Sequence, residues 1–115
     1  MILTTPEQHD RRAAHYDRAA EIHATAARDY WADAAVIPDS LSPTRAARWM
    51  TPAGLARFTE HADKRRADLT EYAHMREASA AARRRKARAH RGEAGLLRLF
   101  ATYGIGTTHT EGSAA

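Results

Sequence analysis

Small residues and ring-bearing residues alternate along the first third of the chain. His9, Ala13, Tyr16, Ala20, His23, Ala27, Tyr30 and Ala34 recur at alternating steps of four and three, with Ala19, Ile22 and Ala26 beside them. At about 100° per residue that spacing keeps one line on one face of an α-helix. A second line follows later, through Leu55, Phe58, Ala62, Leu69, Tyr72, Ala73 and Ala80, interrupted by Arg65 and Arg76. Two such stripes predict an antiparallel helical hairpin whose small seam residues allow close approach, toward the low end of the ~8–10 Å interaxial range. A third, shorter stripe of Leu96, Leu99, Phe100 and Tyr103, widened by Leu97, predicts an amphipathic carboxyl-terminal helix.

Boundaries come from proline, glycine and hydroxyl side chains. Three Ser/Thr-Pro pairs read as helix starts, because the hydroxyl satisfies one orphan amide and proline removes another. Thr5-Pro6 opens a helix that runs to Ala34 or Ala35, and Gln8 completes a capping box. Pro38 and the DSLSP segment end it. Ser42-Pro43 opens a short helix to about Met50, and Thr51-Pro52 opens a long one that meets no proline or glycine between Gly54 and Gly92. Gly92 and Gly95 permit a bend before the last helix, which Gly104 stops with Ile105 packing back. Residues 1–105 are expected to form one helical domain, and residues 106–115 a disordered tail.

Composition narrows the class. Among 115 residues, 28% are charged and only 7% aromatic, and alanine supplies much of the 43% apolar content, so the core must be thin. Abundant alanine and arginine with no β-branched runs favour an all-α fold. A core this thin suggests that two hairpins dimerise into a four-helix bundle. The absence of cysteine excludes disulfides, zinc thiolates and thiol catalysis. No stretch approaches a membrane span and the start MILTTPEQ lacks a leader pattern, so a soluble cytoplasmic protein is expected.

Charge then singles out one segment. Residues 76–98 hold eight Lys/Arg against two Asp/Glu, whereas residues 1–75 hold ten against eleven, so the whole net +4 resides in the later segment. If helix pairing starts from a tight turn, with Ala34 opposite Pro52, then Pro6 lies opposite about residue 80. Ala80 to Arg91 would project beyond the first helix. Arg83, Arg84, Arg85 and Lys86 fall about 100° apart and surround the helix, so that turn is either solvated or engaged by something anionic. Three readings follow: a solvated helix extension, an acidic protein partner, or a nucleic-acid backbone. In the last, Arg83, Arg84, Arg85, Lys86, Arg88 and Arg91 contact phosphates without reading bases. Base readout lacks a module: SPTRAARWMTPAGLARFTEH makes a poor helix-turn-helix, with Pro52 and Gly54 at the turn.

The remaining chemistry is sparse. His9 and His23 share a face with Tyr16 and Tyr30, and Glu71-x-x-His74 has the spacing of carboxylate-bridged di-iron bundles. Glu21, at the matching level of the first helix, lies about 160° from His23, so no inward carboxylate completes such a site. Four serines without a strand-to-helix elbow, and no glycine-rich loop, leave no catalytic constellation. No enzyme activity, cofactor, metal or small-molecule substrate is expected. Bulky residues Tyr30, Trp31, Val36, Ile37, Leu41, Trp49, Met50, Leu55 and Phe58 cluster around the first turn as an apolar end. The expected protein is a non-enzymatic helical interaction module that binds nucleic acid or an acidic protein through its basic segment. The alternative is an inhibitor or adaptor that binds a protein partner through Leu96, Leu99, Phe100, Tyr103, Trp31 and Trp49, and a remote one is a His/Glu metal-binding four-helix bundle.

Overall fold

The computed structural model describes residues 5–37 and 50–104. It contains two helices, α1 (Pro6–Ala35) and α2 (Pro52–Tyr103), and no strand among the described residues. The short helix expected from Ser42-Pro43 up to Trp49, the side chain of Leu41, the packing expected of Ile105 and the tail from residue 106 lie outside the described residues.

Both helices start where the hydroxyl caps place them. The Gln8 amide donates to Thr5 Oγ1 and the Thr5 amide donates to Gln8 Oε1, each at 3.1 Å, which is a reciprocal capping box. At α2 the Gly54 amide donates to Thr51 Oγ1 at 3.0 Å. The end of α2 also agrees with the sequence: Gly104 has φ +70° and its amide donates to Ala101 O at 3.3 Å. A side chain at that φ is strained, so glycine suits the position.

The expected break at Gly92 and Gly95 is absent. α2 runs unbroken through both for 52 residues, and EAGLLRLFATY forms its last turns instead of a separate helix. Glycine inside a helix costs about 1 kcal/mol relative to alanine but removes no backbone hydrogen bond. Ala94, buried between the two glycines, anchors the segment to the seam.

The chain packs as two compact units, each built from a piece of both helices. Unit 1 comprises residues 5–21 with 80–104, and unit 2 comprises residues 22–37 with 50–79. The buried seam of unit 1 is Ala13, Ala20, Ala80, Ala87 and Ala94; that of unit 2 is Ala27, Ala34, Ala62, Leu69 and Ala73. Among the described residues Leu69 is the one buried apolar side chain larger than alanine. Within each unit the buried alanines recur at seven-residue steps, 13 and 20 with 80, 87 and 94 in unit 1, and 27 and 34 in unit 2.

Within each unit the helices run antiparallel, in a register different from the one expected. In unit 2 Tyr30 stacks at a tilt on Tyr72 with ring centroids 5.5 Å apart, and Trp31 Nε1 donates to Glu77 Oε2 at 3.0 Å. In unit 1 Asp10 meets Arg98 and Asp17 meets Arg91. The expectation that Pro6 lies opposite residue 80, leaving Ala80 to Arg91 without cover, is therefore corrected. Pairing from the loop outward assumes a tight connection. The sixteen residues between α1 and α2 are long enough to shift the pairing by several turns.

The apolar cluster expected around the turn is also not closed among the described residues. Val36 is 80% exposed, and Trp31 and Phe58 are more than a third exposed.

Candidate anion-binding surface

The basic segment lies on α2 in unit 1, directly against α1. Arg84, Arg91 and Arg98 are seven residues apart, so they share one flank of the seam, and that flank faces the acidic edge of α1. Arg98 Nη2 donates to Asp10 Oδ2 at 2.6 Å, Arg91 Nη2 donates to Asp17 Oδ2, and Arg84 Nη2 stands 3.9 Å from Glu21 Oε2. The bond from Arg98 holds the Asp10 carboxyl below its ordinary range, and the bond from Arg91 does the same for Asp17. The same bonds raise both guanidinium groups above their ordinary range. All four side chains of the two hydrogen-bonded pairs are between 41% and 51% exposed, so water screens them and they contribute little to stability.

Of the six cations expected to meet an external anion, Arg84 and Arg91 are thus engaged by carboxylates of the same chain. The other four have different surroundings. Lys86 Nζ lies 5.4 Å from the centroid of the Tyr16 ring, which Arg12 also approaches, at 5.2 Å. Arg83 is half-buried at a seam position, one heptad from both Arg76 and His90. Arg85 and Arg88 are exposed on the outer side of α2. Internal pairing removes one charge of each sign at a time and leaves the surplus intact. The described residues of unit 1 hold ten Lys/Arg and five Asp/Glu, while those of unit 2 hold six and seven. The surplus is therefore confined to unit 1. Arg11, Arg12 and Arg18 of α1 contribute to it, and the sequence pattern had not singled them out.

Comparison with known proteins finds no matching family model, no matching curated protein and no matching solved structure.

The seam rings form a second feature of unit 1. His9 Nδ1 and His90 Nδ1 are 2.9 Å apart, and Tyr16 stacks on His90 with centroids 5.7 Å apart and planes 12° apart. Burial depresses the His90 imidazole below its ordinary value, His9 and Arg12 add to the depression, and Glu93 opposes it. In unit 2 Arg76 Nη1 lies 2.9 Å from His23 Nδ1; guanidinium can only donate, so that His23 nitrogen accepts. Arg76, expected to interrupt the apolar line, thus fills a seam position opposite a histidine. His74, of the Glu71-x-x-His74 spacing, packs edge-on against Trp31 and pairs with Glu77 at 3.3 Å. Among the described residues no three potential metal ligands converge.

The residues expected to bind a protein partner divide by position. Leu96, Leu99 and Tyr103 are exposed on the last turns of α2, at 46%, 49% and 71%, while Phe100 is half-buried. Trp31 lies in unit 2, hydrogen-bonded to Glu77, and Trp49 lies outside the described residues. Among the described residues no helix is long and apolar enough to cross a membrane.

Proposed function

We propose that this chain is a non-enzymatic helical interaction protein that binds the phosphate backbone of nucleic acid through the cationic surface of unit 1. One observation carries the proposal: unit 1 keeps a surplus of five positive charges after Asp10, Asp17 and Glu21 have met Arg98, Arg91 and Arg84. Arg85, Arg88 and Lys86 on α2, with Arg11, Arg12 and Arg18 on α1, are the contacts, and Arg83 lies at the edge of the same surface. Arg84, Arg91 and Arg98 have a different role, facing the α1 carboxylates Glu21, Asp17 and Asp10 and fixing the register of unit 1. A surface of guanidinium groups without a base-reading element binds in a sequence-tolerant way, since phosphate contacts position and only base contacts specify.

The test is binding of a labelled random-sequence duplex, and of a single-stranded RNA, across a salt series. Engagement of six phosphates gives a slope of log K against log salt of about −5.4 on duplex. Replacing Arg85 and Arg88 by alanine reduces that slope by about 2. A slope near zero, or no binding at low salt, rejects the proposal.

The exposure of Leu96, Leu99 and Tyr103 favours a second reading, a protein partner or a second copy docked on the end of α2. Under it, Leu96→Asp abolishes capture of a partner or lowers the molar mass in solution, and neutralising Arg85 and Arg88 does neither. Repeating the capture after nuclease treatment separates the two readings.

A further inference from the structure

We propose that the His9–His90 contact makes unit 1 an acid-sensitive clasp, closed when one proton lies between the two imidazoles and opened when each ring carries its own. The inference stands apart from the nature of the partner, since it concerns only how α1 is held on α2.

The geometry sets the proton count. Two Nδ1 atoms 2.9 Å apart form a hydrogen bond when one bears hydrogen and the other presents its lone pair. An imidazolium bears hydrogen on both nitrogens, so two imidazolium rings would face each other N–H to N–H. They cannot bond, and they repel as like charges. Seam contacts then have to offset the repulsion, and here the seam is alanine: Ala13, Ala87 and Ala94 lie closest in sequence to the rings, and each buries little apolar surface.

Neighbouring carboxylates offset that repulsion only in part, Asp10 acting on His9 and Glu93 on His90. On α1, Arg12 and Tyr16 face His90, and Arg12 also lies over the Tyr16 ring. Asp10, adjacent to His9, is committed to Arg98, and Glu7 lies one turn nearer the helix start. On α2, Lys86 lies over the Tyr16 ring and Glu93 is the one carboxylate that acts on His90 to favour its proton. Burial, His9 and Arg12 all oppose it. With the folded His90 depressed relative to the unfolded chain, its contribution to stability is complete above about pH 6.5 and is lost as pH falls through the folded value. Asp10 and Asp17 are also depressed, but from the ordinary carboxylate value of 3.8, so their loss falls in a separate, lower window. His23, in unit 2, accepts from Arg76 and is read out separately by location.

The test is amide hydrogen exchange on the full-length chain at pH 7.5 and 5.5, corrected for intrinsic rates, for the wild type, His90→Phe and His9→Gln. Phenylalanine keeps a ring against Tyr16 and removes one titrating group. Glutamine keeps a hydrogen-bonding partner for His90 and removes the other. In the wild type, protection across residues 8–20 and 83–97 falls at least tenfold on acidification; in both variants it falls less than threefold. Should His90→Phe lose helicity at pH 7.5, His9→Gln decides alone. Unchanged protection in the wild type, or a wild-type-sized fall in His9→Gln, overturns the proposal.

Discussion

Asp10 and Arg98 stand 88 residues apart in the chain, and their side chains meet at 2.6 Å. One heptad inward on both helices Asp17 meets Arg91, so the contact is one rung of a ladder. These pairs identify the register of unit 1 without supplying much of its stability, since each partner is close to half exposed. They also divide the basic segment by role. Arginines on the flank facing α1 are internal partners, and Arg85 and Arg88 on the outer side are exposed.

A charge swap tests the ladder. Asp10→Arg places a guanidinium against Arg98 and lowers the thermal midpoint; adding Arg98→Asp restores most of the loss. Circular dichroism melts of the two single variants and the double variant check this, and additive losses in the double variant would place the residues apart.

The alanine seam is intolerant of bulk. Ala87→Leu forces the helices apart or off their rotamers and costs about 1–3 kcal/mol. Leu69→Ala in unit 2 leaves a void and costs about 2–3 kcal/mol. Denaturant unfolding measures both, and a stabilised Ala87→Leu would show that the position faces solvent.

Continuity of α2 is tested at its glycines. A Cβ at Gly95 meets nothing within 4 Å, so Gly95→Ala raises helix stability by up to about 1 kcal/mol. Gly104→Ala does the opposite, because φ +70° costs a side chain about 1 kcal/mol. A helix bent at Gly92 and Gly95 would instead be destabilised by alanine there.

Strong acid acts on the ladder. Asp10 and Asp17 have depressed folded values, so their contribution is present above the ordinary carboxylate value of 3.8 and disappears as pH falls through the lower folded values. The Asp10→Asn, Asp17→Asn double variant is less stable at pH 7, and its loss of stability below pH 4 is smaller than that of the wild type. Urea midpoints between pH 2 and 5 check the difference.

Helices, caps and much of the seam were legible in the sequence, because hydroxyl-proline pairs and steps of three and four are local signals. Thr5, Gln8, Thr51 and Gly104 all perform the roles their neighbours imply. The register was not legible by pairing outward from the turn. Alanines repeat every seven residues on both helices, so sliding one past the other by whole heptads preserves the pattern, and the observed register differs from the expected one by about three heptads. A signal did exist: Asp10 and Asp17 carry the spacing of Arg98, Arg91 and Arg84 with opposite charge. Ala87 and Ala94 were overlooked for a related reason. The turn from Arg83 to Lys86 is charged all round, yet the seam steps across it from Ala80 to Ala87 and takes in Arg83 as a half-buried member.

The pairing of α1 with the basic end of α2 underlies both the cationic surface and the histidine clasp, and proton–proton cross-peaks between aromatic rings test it most directly. Tyr16 ring protons show cross-peaks to the His90 ring, which stacks on it with centroids 5.7 Å apart, and Tyr30 ring protons show cross-peaks to Tyr72. Cross-peaks from Tyr16 to side chains near Thr70, with none to His90, would contradict the account.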